Sequence, residues 1–201
     1  FWLQLMFIIG LGVKSAVIGL HSWIPYIYKK ASTTFCALSS GFVAKLGYIT
    51  LLKIISDGNR LLLYLGIIMV FYGGIKALEE KNYKLILAYS SISQFGFIAL
   101  AIGSGNIYGY YGAILHIIAH AFAKSTLFNG AGNWIKEFNS TSIFDFKRCE
   151  LRQKINAIST ILAFLSLMAF PLFIGYNSKH LIKYSLSSIP MFEFLLHLGS
   201  I

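Results

Sequence analysis

Six long apolar blocks, parted by short polar stretches, set the pattern of the chain: residues 1–20, 33–55, 61–78, 85–102, 107–135 and 155–186. They are continuous and lack the alternation of a half-buried strand. Most approach the ~20 residues an α-helix needs to cross the hydrocarbon core. The pattern predicts an all-α membrane protein, a polytopic bundle of about six transmembrane helices, some of them discontinuous. The first block runs into residues 19–25, poor helix material, before a short segment at 26–31. The last block is too long for one span, and Pro171 and Gly175 predict a break in it. A further span is expected to begin within residues 190–201.

Composition strengthens this reading. Apolar residues make up 57% of the 201 residues and charged residues 12%, with mean hydropathy +0.70. A soluble domain is nearer half apolar and a quarter charged. The net charge of +10 would suggest nucleic acid if it were spread over a soluble surface. Here the basic residues cluster between blocks, so no nucleic-acid partner is expected and the partner is the lipid bilayer. Lys29, Lys30, Lys76, Lys81, Lys84, Lys136, Lys147, Arg148, Arg152 and Lys154 fall in alternate loops. Lys53, Arg60 and Lys183 fall on the other side, so the first group is assigned to the cytoplasm or matrix. Cys36 and Cys149 form no C-x-x-C pair and predict neither disulfide nor metal site. The chain opens inside an apolar run without a starting Met, which suggests a fragment or a subunit encoded in pieces.

The chemistry lies in polar residues set inside the blocks. Lys14, Lys45, Lys124 and Lys179 each face a cost of at least ~2.5–3.5 kcal/mol at mid-bilayer. Near a helix end such a lysine can snorkel to the interface, a reading that suits Lys14 or Lys179 better than Lys45. Four together point instead to proton carriers, a role that a lysine shielded from water can take. No Asp or Glu lies in the middle of any block. The lysines then pair through water with one another, or with a carboxylate from a segment outside this sequence, and we expect the second.

His116, His120 and Lys124 recur at intervals of four and share one helix face. A proton relay suits them best, because unperturbed histidine titrates near pH 6.5. Interhelical hydrogen bonding is a second reading. Metal binding is a third, but the stretch lacks the Glu of H-E-x-x-H and any evident third ligand. Ser90, Ser91, Ser93 and Gln94 form a polar patch that suits water binding and helix association equally. Trp23, Tyr26 and Tyr28 read as interfacial aromatics. There is no nucleophile–base pair, redox-cofactor motif or phosphate loop, so no metal, cofactor or redox chemistry is expected within the chain.

Five motifs in order carry a resemblance over nearly the whole chain. They are Lys14-Ser15-Ala16 leading to Gly19-Leu20-His21-Ser22-Trp23-Ile24-Pro25, and Ala37-Leu38-Ser39-Ser40 followed by Lys45-Leu46-Gly47-Tyr48. The most specific is the run from Lys84 through Ala88-Tyr89-Ser90-Ser91-Ile92-Ser93-Gln94-Phe95-Gly96. His116-x3-His120-Ala121-x2-Lys124 and Phe170-Pro171-x3-Gly175-x2-Ser178-Lys179 complete the series. Together they resemble the antiporter-like subunits of respiratory complex I (NADH:quinone oxidoreductase) and of Mrp-type cation/proton antiporters. The resemblance implies a fold of two inverted five-helix repeats, each with a broken helix. This chain would be a single membrane domain, residues 1–55 ending the first repeat and 61–201 supplying most of the second. It also implies that Lys14 and Lys45 are first-half channel lysines and Lys179 the lysine of the second broken helix. His116, His120 and Lys124 would form the polar axis between them, and a separate N-terminal segment would supply a Glu to pair with Lys14. Asn82 stands where members often carry Asp, Tyr26 where an acid is common, and Ser32-Thr33-Thr34 in place of a proline-bearing turn.

The expected function is proton translocation as a subunit of an NADH:quinone oxidoreductase-type complex, beside other membrane subunits, in a bacterial or mitochondrial inner membrane. A Mrp-type Na+/H+ antiporter subunit is the alternative. A structural remnant kept for assembly is a third reading.

Overall fold

A computed structural model describes residues 2–145, 154–187, 189, 191 and 195–196. Of the described residues 81% are helical, and among them the only β pairing is an isolated bridge between Asn82 and Ser142. The helices are α1 (Trp2–Lys14), α2 (Trp23–Lys30), α3 (Thr33–Leu38), α4 (Ala44–Ile54), α5 (Arg60–Glu79), α6 (Tyr83–Gly103), α7 (Ile107–Phe138), α8 (Lys154–Leu167) and α9 (Ile174–Ser185). A π-helical turn, Ser39–Val43, joins α3 to α4 without interruption. Among the described residues, three helical stretches are long and apolar enough to cross a membrane: Thr33–Ile54, Arg60–Glu79 and Tyr83–Gly103.

The first expected block is shorter than its apolar run. α1 stops at Lys14, and the backbone turns through Ala16 at φ 53° and Gly19 at φ 89° before α2 begins. The Trp23 indole Nε1 donates to the Val13 carbonyl (2.7 Å) and so satisfies an acceptor freed by the break. The last block breaks as expected, at residues 168–173, where Ala169 (φ 61°) and Leu172 (φ 84°) take the left-handed region around Pro171. Gly175 is not in that break. It lies in the first turn of α9, where a Cβ would collide with the Ser166 carbonyl of α8, so glycine is what lets the two half-helices close up. The further span expected within residues 190–201, apart from residues 191, 195 and 196, lies outside the described residues, as do Cys149 and the basic loop residues Lys147, Arg148 and Arg152.

α7 is the axis. It packs against α3, the π turn, α6, α8 and α9, while α5 lies along α6 and α1 along α4. α5 and α6 touch backbone to backbone: a Cβ on Gly96 would sit 2.6 Å from the Gly66 carbonyl oxygen. Such close approach of small residues is how membrane helices gain dispersion contact, since lipid removes the hydrophobic drive between them.

Polar caps tie the bundle at both ends. At one end the Lys84 ammonium donates to the Ala31 carbonyl (2.9 Å), and Asn82 Nδ2 donates to Thr141 Oγ1 (2.9 Å). At the other end Asn59 Nδ2 donates to Gln4 Oε1 (3.1 Å), and Asn106 Nδ2 to the Ser185 carbonyl (2.7 Å). The loops around Lys29, Lys81 and residue 140 thus gather opposite those around Asp57, Gly105 and Lys183. The departures from the family pattern have structural uses. Asn82 caps α6 by accepting from the Lys84 and Leu85 amides, and Ser32 caps α3 by accepting from Phe35 N. Tyr26 lies exposed under the Lys30 ammonium, which also donates to its hydroxyl (2.9 Å). Tyr28 corrects the interfacial reading: it is fully buried, because α2 turns it inward onto Phe128 and Ser39.

Candidate functional site

Lys45, His116, His120 and Lys124 are among the most enclosed residues of the chain, with exposures of 2%, 1%, 0% and 0%. Lys45 sits two residues past the π turn. Its ammonium donates to the carbonyls of Ser40 and of Gly41 (2.9 Å), acceptors that the altered helical register presents to it. It lies 5.9 Å from the centre of the Phe95 ring, and Phe95 in turn packs against His120 at 5.2 Å between centroids. His120 and His116 are one turn apart on α7, their rings 6.3 Å between centres.

From His116 the line continues to α9. His116 Nδ1 is 3.0 Å from Ser178 Oγ, and its ring packs against Phe97 at 5.8 Å. Phe97 also carries the Lys179 ammonium over its ring, 4.7 Å from the ring centre, where the ring quadrupole attracts the cation. Lys179 is half-buried and borders a cavity of about 310 Å3 that Tyr176, His180 and Lys183 also line. Five of the six expected site residues are therefore brought together: Lys45, His120 and His116 lead to Lys179, with Lys124 on the Lys45 side. Lys124 donates to Ser90 Oγ (2.6 Å) and to the Leu87 carbonyl (2.9 Å). Lys14 is different. It ends α1 and is exposed, apart from this line.

Polar atoms without protein partners mark the same line. Both ring nitrogens of His120, Nε2 of His116, Oη of Tyr48 and Oε1 of Gln94 are buried and make no hydrogen bond. Burying such atoms without a partner costs ~1–3 kcal/mol each, so they are an expense the bundle bears beside its buried lysines. Among the described residues no group of three His, Cys, Asp or Glu side chains forms a metal cage.

The Ser90–Gln94 patch divides between the two readings given to it. Ser93 Oγ donates to the Val70 carbonyl (3.0 Å) and ties α6 to α5, whereas Ser90 receives the Lys124 ammonium. The sequence reading did not assign Phe95, Phe97, Tyr48 or Ser178 to the site. Ser178, next to Lys179 in a helix interior, carried a usable signal. The rings did not, because an apolar residue in an apolar helix looks the same facing lipid or facing a lysine.

A helical membrane bundle with two interrupted helices and a buried lysine–histidine line is the architecture of an antiporter-like membrane subunit. The chain belongs to the NADH:quinone oxidoreductase/Mrp antiporter transmembrane family, whose model matches residues 1–200. NADH-quinone oxidoreductase subunit N of Desulforudis audaxviator is 30% identical over 188 residues, covering 88% of this chain and 38% of that protein. The chloroplastic NAD(P)H-quinone oxidoreductase chain 4 of Daucus carota is 37% identical over 138 residues, 65% of this chain and 28% of that one. The chain thus spans less than half the length of these relatives. Among solved structures, a chain of the archaeal membrane-bound sulfane sulfur reductase superposes with TM-score 0.88 at 27% identity, covering 95% of this chain and 42% of that one. A chain of the Mrp complex from a Dietzia species gives 0.88 at 26% identity, covering 98% and 23%. Respiratory complex I of Thermus thermophilus shares the fold, with TM-score 0.88 at 23% identity over all of this chain and 45% of that one.

Proposed function

We propose that the chain carries protons across an energy-transducing membrane as part of a subunit of an NADH:quinone oxidoreductase-type complex. The observation that carries this reading is the line from Lys45 past Phe95 to His120 and His116, where His116 meets Ser178 on one side and Phe97 on the other, and Phe97 meets Lys179. Lysines and histidines both bind and release protons, and water beside the unpartnered ring nitrogens joins them. On this reading residues 1–55 end one inverted repeat and residues 61–201 form most of the next. Lys14, exposed beside the first break, pairs with a Glu from a separate N-terminal segment, and other membrane subunits flank the bundle. The basic ends of α2, α5 and α7 face the cytoplasm or matrix. The bacterial and chloroplastic relatives extend the choice of membrane beyond the bacterial and mitochondrial inner membranes to the chloroplast.

The test is proton uptake by sealed vesicles holding the assembled complex, with assembly followed on native gels. Lys45→Ala removes the amine and is expected to lower uptake at least ~100-fold while the complex still assembles. Lys45→Arg is expected to fail as well, since guanidinium holds its proton. Normal uptake by Lys45→Ala rejects the relay and leaves the assembly role. The equal likeness to the Mrp complex supports a second reading, a Na+/H+ antiporter subunit. Uptake that requires sodium would select it. Sidedness is checked separately: cysteines at Lys81 and Asp57 are expected to label from opposite faces, and labelling from one face breaks the topology.

A further inference from the structure

The two histidines of α7 differ in how their rings are held. Both nitrogens of His120 are buried without a hydrogen-bond partner, whereas His116 lacks one only at Nε2. His116 Nδ1 lies 3.0 Å from Ser178 Oγ, and Ser178 Oγ lies 2.9 Å from the Gly175 carbonyl oxygen, one turn back in α9. Both side chains are sealed off, with His116 1% and Ser178 0% exposed. One helical turn away, a Cβ on Gly112 would sit 3.0 Å from Ile182 Cγ1. The two pairs, His116 with Ser178 and Gly112 with Ile182, set α7 and α9 antiparallel, close enough for a histidine to reach a serine.

A serine hydroxyl has one proton to donate and an oxygen that accepts. If the Ser178 proton pointed at His116, the Ser178 and Gly175 oxygens would face each other with no hydrogen between them. With the proton on the Gly175 carbonyl, the Ser178 oxygen accepts from His116 and both contacts are hydrogen bonds. Nδ1 then carries the hydrogen. We propose that Ser178 is a positioning residue that fixes His116 in the Nδ1–H form, so that the ring takes up and releases protons at Nε2 alone. The second nitrogen of a neutral imidazole is bare, and Nε2 is the His116 nitrogen without a partner. Helix tying alone takes the form seen at Ser93, which donates across to Val70. Ser178 instead donates within its own helix and accepts across.

The anchor survives a full cycle. A proton arriving from water forms the Nε2–H bond and leaves the ring with one positive charge. The same bond breaks when the proton passes to the next water, and the ring is neutral again. Nδ1 donates to Ser178 in both states, because a protonated imidazole donates from both nitrogens. The contact between α7 and α9 therefore holds through each passage. No proton crosses from His116 to Ser178, whose own proton has only a carbonyl to move to. His116 gives up its proton from the nitrogen that received it, whereas His120, with neither nitrogen tied, can receive on one and release from the other.

The anchor rests on the proton-carrying reading above, and the test separates the two. The assembled complex is labelled with nitrogen-15 histidine and its NMR spectrum recorded at about pH 9, where histidine is ordinarily neutral. Subtracting the spectrum of the His116→Gln variant isolates the His116 ring. The parent is expected to show a protonated Nδ1 and a bare Nε2. Ser178→Ala is expected to add a form with the proton on Nε2, and to slow proton uptake by vesicles about tenfold. A serine that only packed α9 against α7 would leave the ring pattern as it is. A bare Nδ1 in the parent, a ring pattern that Ser178→Ala leaves unchanged, or uptake by Ser178→Ala at the parent rate overturns the anchor. If His116→Gln is slow while Ser178→Ala pumps normally, the anchor alone fails; normal pumping by His116→Gln removes the reading on which it stands.

Discussion

The two interrupted helices use the same device and reach different ends. In both, alanine takes a left-handed conformation at the break: Ala16 between α1 and α2, Ala169 between α8 and α9. In both, a lysine stands close by. Yet Lys179 is packed over Phe97 beside a chain of histidines, whereas Lys14 is exposed. A break in a helix therefore does not by itself make a site. It frees backbone groups and sets a lysine near them, and the neighbouring helices decide whether that lysine joins a path. α9 packs against α7, the helix that bears both histidines, while α1 packs against α4 on the far side of Lys45.

The comparison can be broken most directly at the lysines. Lys179→Ala is expected to lower proton uptake at least ~100-fold. Lys14→Ala is expected to cost about tenfold, since its ammonium is not in contact with the histidine line. Equal losses in the vesicle assay would show that exposure in this chain says nothing about the path. The next contrast concerns the glycines of the two breaks. Gly175→Ala drives a methyl group into the Ser166 carbonyl and is expected to cost about 3 kcal/mol of stability. Gly19→Ala meets no neighbour and bears only the strain of φ 89°, about 1–2 kcal/mol. Thermal retention of the assembled complex in detergent ranks them, and the reverse order would mean that α8 and α9 can part freely. The smallest effect is expected for Trp23→Phe, which keeps the ring and loses the bond to the Val13 carbonyl, about 1 kcal/mol by the same measurement. A loss matching that of Gly175→Ala would make the indole bond the main clamp of the first break.

Much of this was legible from residue order. The apolar blocks predicted helices because lipid leaves the backbone no other partner than itself. Pro171 marked the second break because it lacks an amide proton, and the i, i+4 spacing of His116, His120 and Lys124 put them on one face. The shorter first helix was not legible, since residues 1–20 read as one apolar run and the turn at Ala16 is held by a contact from Trp23. Nor was the π turn at Ser39–Val43, whose Ser, Gly, Phe and Val are weak helix formers but do not mark a π register.

By itself, then, the sequence determined that this is a membrane bundle, where its charged ends alternate, and which residues must find polar surroundings. Those are properties of single segments, set by transfer energies and helical periodicity. The tertiary structure alone decided that Lys45 reaches His120 across Phe95, that Lys179 reaches His116 across Phe97, and that Tyr28 turns inward to meet Ser39. Each of these joins residues from different helices, and in lipid the choice of helix face depends on close packing and paired hydrogen bonds. No single segment contains that information, because a helix face acquires its meaning only from the face laid against it.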